Sequence, residues 1–166
     1  MDNFLLIPFL GQNSLSLTTE DDILKTNAKS SEYCLSLNEK DASELISADN
    51  SAVSRQERFC FEKSALLVII DKFMKSRYIC QDNYAATLCS LLEIFYEFKD
   101  ETLDSFGDEE AVDLMFDAFE NHCGGDTSVL ESYLIDDFSV EKRLNLAGIF
   151  RPEPYTEPED TEDDYE

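Results

Sequence analysis

The stretch DNYAATLCSLLEIFYEFK, residues 82–99, decides the fold. Tyr84, Leu88, Leu91, Leu92, Phe95 and Tyr96 recur at i, i+4, i+7, i+8, i+11 and i+12. That spacing puts all six on one side of an α-helix, with Glu93 and Glu97 on the other. Asp82 stands where a capping side chain is needed, so a helix is predicted from Asp82 to about Lys99.

Working upstream, Phe61, Ala65, Leu66, Leu67, Val68, Ile69, Ile70, Phe73 and Met74 leave little polar face between Phe59 and Arg77. A helix apolar nearly all round belongs at the centre of a core. Val68, Ile69 and Ile70 are β-branched, so a buried strand over Leu66 to Ile70 competes with it. The flanking Glu62-Lys63-Ser64 and Asp71-Lys72 favour helix. The link Tyr78 to Gln81 is short, so the two helices are expected to lie antiparallel and in contact, with Leu88, Leu92 and Phe95 facing Leu66, Ile70 and Phe73. Further upstream, Ser36 and Glu39 have capping-box spacing and open a surface helix from about Asn38 to about Ser51, with Ala42, Leu45 and Ile46 inward. Thr19, followed by Glu20, Asp21 and Asp22, marks a short helix start. Phe4 to Leu10 reads as a short extended segment covering part of the core.

Downstream, Gly107-Asp108-Glu109-Glu110 opens a helix carrying Val112, Met115, Phe116 and Phe119, which stops at Gly124-Gly125. Two shorter helices are expected over Thr127 to Ile135 and Ser139 to Ala147. The tail beyond is rich in acid, Pro, Thr and Tyr and has too little apolar content to fold. The expectation is therefore an all-α protein, a small bundle of about five to six helices. Residues 1–150 form one domain with a short extended N-terminal segment, and residues 151–166 a disordered acidic tail.

Composition agrees. The 166 residues are 43% hydrophobic, with 12 Phe, 7 Tyr and no Trp, and only 5 Gly and 4 Pro. So few turn formers disfavour an all-β fold. The net charge is −24, from 37 acids against 13 Lys and Arg. From Arg151 onward eight acids stand against one arginine, so most of the charge belongs to the body. Such a body repels nucleic-acid phosphates and anionic lipid surfaces, and it favours solubility or a basic partner. The five cysteines are odd in number and contain no Cys-x-x-Cys pair, which excludes a disulfide framework and fits a reducing compartment. The N-terminus lacks a signal peptide and no apolar run approaches a membrane span, so a cytoplasmic protein without membrane association is expected.

Ser76-Arg77-Tyr78-Ile79, Asp82-Asn83-Tyr84, Thr87-Leu88, Ile94-Phe95-Tyr96, Phe98-Lys99 and Glu101-Thr102 form a pattern. It resembles an uncharacterised family of small helical proteins, a domain of unknown function common in anaerobic Gram-positive bacteria. Phe4 to Phe9 with Pro8, Leu35-x-Leu37 and Cys123-x-Gly125 are similar too. The likeness covers roughly Phe4 to Phe150. It departs at the acidic tail and at Asp100, where an Asn is expected. The resemblance implies a bacterial cytoplasmic location and brings no catalytic residues.

Candidate sites are few. His122 and Cys123 are adjacent, but no other His exists, and zinc needs three or four ligands, usually in close pairs. Between Asp100 and Gly107 a calcium loop is conceivable. With Gly107 as the turn glycine, Phe106 takes the fifth position and Asp113 the twelfth; started at Asp100, the loop has Ser105 for its glycine. Neither register works. No nucleophile elbow and no glycine-rich phosphate loop occurs. Acid pairs such as Asp136-Asp137 and Glu109-Glu110 arise by chance among so many acids. No catalytic residue, metal or cofactor is therefore expected. Tyr96 and Phe98 sit on different faces of one helix and are expected not to be interior together. Tyr78, Tyr84, Tyr96 and Phe98 are accordingly candidates for a partner groove beside their ordinary role as core. The leading function is a non-enzymatic, acidic protein-interaction or regulatory module with a basic or helical protein partner. The alternatives are an enzyme or metal-binding protein built from scattered acids, and an acidic nucleic-acid mimic binding a basic protein.

Overall fold

A computed structural model describes residues 18–55 and 65–138. Among them every regular element is helical and none is a strand. Phe4 to Leu10, the helix expected over Ser139 to Ala147 and the acidic tail lie outside the described residues.

The chain opens on α1 (Glu20–Lys25) and the single turn α2 (Asn27–Ser30), followed by a 3-10 turn, Ser31–Tyr33. Thr19 caps α1 as expected. Its hydroxyl accepts from Asp22 N, and the Asp22 carboxylate accepts from Thr19 N at 3.0 Å. The reciprocal pair satisfies two amides that the first turn leaves open. Helix α3 (Glu39–Arg55) is longer than expected and starts on a different cap. Asn38 Oδ1 accepts from Asp41 N at 2.8 Å and Asp41 Oδ2 accepts from Asn38 N at 3.0 Å, so the box is Asn38 with Asp41 and not Ser36 with Glu39. Ser36 is occupied elsewhere, bonded through its backbone to the Gln81 amide.

Helix α4 spans Leu66–Phe73 and α5 spans Tyr84–Glu101. The helical reading of Leu66 to Ile70 stands, but α4 ends four residues short of Arg77, and residues 56–64 lie outside the description. Asp82 does not cap α5. Asn83 holds the approach, accepting from Cys80 N at 2.8 Å and donating to Tyr78 O at 3.2 Å. Helix α6 (Asp108–Asn121) follows, then α7 (Thr127–Glu131), capped by Asp126, whose carboxylate accepts from Ser128 N and Val129 N. The expected helix to Ile135 changes character here: Ser132–Phe138 is wound as a π-helical turn.

The centre of the core is α5, not α4. Tyr84, Leu88, Leu91, Leu92, Ile94, Phe95, Tyr96, Phe98 and Lys99 are all buried on it. It packs against α3 most extensively and also against α4, α6, α7 and the π-helical turn. Neighbours on so many sides can cover far more than one stripe. Helix α4 is apolar in composition, yet Leu67 and Val68 stay half-exposed. It touches α5, but its Phe73 meets Phe116 and Phe119 of α6 edge-to-face, at 5.3 and 5.4 Å between ring centroids.

The turn after α6 shows why glycine stands there. Gly124 and Gly125 have φ of 58° and 78°, the left-handed region. Gly125 N donates to Phe119 O at 3.0 Å, closing the helix end. A Cβ on Gly125 would overlap the Tyr78 side chain.

Candidate functional site

The four aromatic candidates have separate surroundings. Tyr84 is fully buried, Phe98 is fully buried and stacked on Phe106 at 5.8 Å, and Tyr96 is 5% exposed. Tyr96 and Phe98 are thus interior together, contrary to expectation, because α5 is enclosed by helices on several sides. Tyr78 is 37% exposed, its ring between the Arg77 guanidinium, 5.0 Å away, and Phe119. The four do not line one exposed groove.

A different site assembles around Tyr96. Its hydroxyl donates to Asp49 Oδ1 at 3.1 Å, and Asp49 on α3 is itself fully buried. Above this bond α3, α5 and α7 part to leave a recess of about 390 Å³. Ala52, Ile94 and Tyr96 supply its apolar lining, and Ser90, Thr127 and Ser128 bring hydroxyls. Its charged lining is Arg55 from α3, Glu93 and Glu97 from α5, and Glu131 from α7. Helical spacing accounts for the pair on α5, since i and i+4 share a face. Asp126, by capping α7, fixes where Glu131 stands.

Charge in this recess is unbalanced. The Arg55 guanidinium pairs with Glu93 at 3.2 Å. Glu97 has its carboxyl pKa raised, first by burial and then by Glu131 and Glu101, with Asp136 adding to the rise and Arg55 opposing it. Three carboxylates against one guanidinium leave negative charge for an incoming cation to meet. Ser90 Oγ donates to its own helix, at Ala86 O, as serines in helices do. The single histidine is elsewhere, stacked on Tyr133 at 5.5 Å and 3.9 Å from Asp117. The recess therefore holds no nucleophile paired with a histidine base. Among the described residues no group of three or more His, Cys, Asp or Glu is placed to hold a metal ion.

The acidic loop from Asp100 to Gly107 holds a cation of its own. Lys99 Nζ donates to Phe106 O at 2.9 Å and to Asp108 Oδ1 at 2.7 Å, with Asp104 at 3.9 Å. The Lys99 side chain, 9% exposed, closes the turn between α5 and α6 with its ammonium.

Fold and site together define an all-helical protein with an acidic recess between three helices. Among the described residues no helix is long and apolar enough to cross a membrane. A family model, described as a family of unknown function (DUF6323), matches residues 22–148, and the chain belongs to that family. No curated protein and no solved structure matches the chain.

Proposed function

We propose that the protein is a non-enzymatic interaction module whose acidic recess receives an arginine or lysine side chain of a basic protein partner. The observation that carries this reading is the uncompensated charge of the recess. Glu93, Glu97 and Glu131 stand against one guanidinium, which pairs with Glu93, and the Glu97 carboxyl pKa is raised by burial and by Glu131 and Glu101. A partner's cation would supply the missing charge, while hydroxyls and an apolar wall suit the stem and head of such a side chain. The net charge of −24 would speed encounter with a basic partner and discourage nucleic acid. The bacterial cytoplasm remains the proposed setting, and the four cysteines among the described residues are free thiols.

Calorimetric titration with a short arginine-rich peptide tests the site. The double variant Glu97→Gln with Glu131→Gln should bind about tenfold more weakly, at about 0.5–1 kcal/mol for each exposed charge contact. Glu109→Gln, on α6 and outside the recess, should change affinity little. Equal weakening by both changes would mean that the peptide senses only overall charge, and the recess assignment would fall.

A further inference from the structure

Cys34 and Cys80 are both exposed, whereas Cys89 is half-buried and Cys123 buried. Both exposed thiols stand on loops, and these loops are clipped together. The Gln81 amide accepts from Ser36 N at 2.8 Å and donates to Ser36 O at 2.9 Å. Cys80 is the residue before Gln81, and Cys34 is two residues before Ser36. Each loop is also held locally. Cys34 N donates to Ser31 O at 3.1 Å, and Cys80 N donates to Asn83 Oδ1 at 2.8 Å. Cys34 has φ of 59°, a left-handed conformation that Gly and Asn adopt with less strain.

We propose that Cys34 and Cys80 form a reversible disulfide under peroxide, locking the loop before α3 to the loop before α5. One thiolate attacks a peroxide oxygen, giving a sulfenic acid and, with a proton, water. The second thiolate attacks the sulfenic sulfur, forming the S–S bond and expelling hydroxide, which takes a proton to become the second water. Two thiols and one hydrogen peroxide thus give one disulfide and two waters.

The test treats the full chain with hydrogen peroxide and maps linked peptides by mass spectrometry without reduction. A monomer carrying a Cys34–Cys80 linked peptide that dithiothreitol removes is the expected result. The linked monomer should melt at a higher temperature than the reduced one, and neither Cys34→Ser nor Cys80→Ser should show that rise. Gln81→Ala, which opens the clip and keeps both thiols, should slow linkage roughly tenfold, as the two hydrogen bonds that hold the loops together are lost. Linkage at an unchanged rate in Gln81→Ala would overturn the proposal. So would pairing scrambled among other cysteines, disulfide-linked dimers, or overoxidised thiols with no link.

Discussion

Tyr84 is buried whole at the start of α5, and its hydroxyl reaches no hydrogen-bond partner among the described residues. Ser30 lies beside it but donates its own proton to Leu35 O at 2.9 Å. Burial pushes the Tyr84 pKa up to about 12, with Ser30 pulling the other way. The folded protein therefore keeps this proton where an unfolded tyrosine, titrating near 10, has lost it. Stability is undisturbed below about pH 10 and falls as pH rises from there toward 12, because the unfolded chain then binds fewer protons. Tyr84→Phe should remove that loss. At neutral pH it should leave stability unchanged or raised by about 1 kcal/mol, since a buried hydroxyl without a partner costs more than it returns. Denaturant melts at pH 7 and pH 11 check both parts, and a large loss at pH 7 would show that the hydroxyl is bonded. Lys99 illustrates the opposite arrangement: its buried ammonium is satisfied by a carbonyl and a carboxylate, so it closes a turn instead of straining one.

The helices were legible where period and caps agree, and less so where a neighbouring element decides. The period of Tyr84 to Tyr96 placed α5 and gave the correct buried face, but Ile94 and Phe98 lie off that stripe and are buried too. Only the number of helices around α5 settles that, and a single segment does not carry it. Thr19 caps α1 as its sequence suggests, but two other expected caps failed in the same way. Ser36 and Asp82 have suitable side chains, but Ser36 is held by Gln81, and Asn83 is placed to hold Cys80 N and Tyr78 O. The site was less legible still. Arg55, Glu93 and Glu131 come from three helices, and no local spacing announces their meeting. Glu93 and Glu97 read only as the polar side of α5, although Glu97 is half-buried. The central place of α5 has a direct consequence. Phe95 is 1% exposed, packs edge-to-face on Tyr96 at 5.0 Å, and has Lys99 Nζ above its ring. Phe95→Ala should cost about 3–5 kcal/mol, while Asp100→Ala, on the exposed end of the same helix, should cost under about 0.5 kcal/mol. Urea melts of the two variants decide it, and a harmless Phe95→Ala would mean that this ring is not part of the core.

At the scale of the molecule, charge outweighs every other surface property. With 37 acids and 13 basic residues the folded chain repels itself at neutral pH, and salt bridges such as Lys29 with Asp71 and Lys72 with Asp113 are exposed and individually weak. The recess concentrates the same repulsion, and Glu97 registers it, its pKa raised by burial and by Glu131, Glu101 and Asp136. A carboxyl whose folded pKa lies above its unfolded value binds its proton more tightly in the fold. Stability is then greatest where Glu97 is protonated, and it declines as pH rises from the ordinary carboxylate range through the raised folded pKa. Glu97→Gln mimics the protonated form at every pH. The variant should melt above the natural protein at pH 7 and close to it at about pH 4.5, so the gap between the two curves should open as pH rises through this window. The same change removes the charge that a partner's cation would meet, so higher stability and weaker binding of the arginine-rich peptide should appear together. Melting curves at matched ionic strength over this range, with the peptide titration at pH 7, measure both. If Glu97→Gln melts lower at pH 7, Glu97 is a net stabilising anion held by Arg55. The recess would then carry no excess negative charge, and the case for a basic partner at this site would fail.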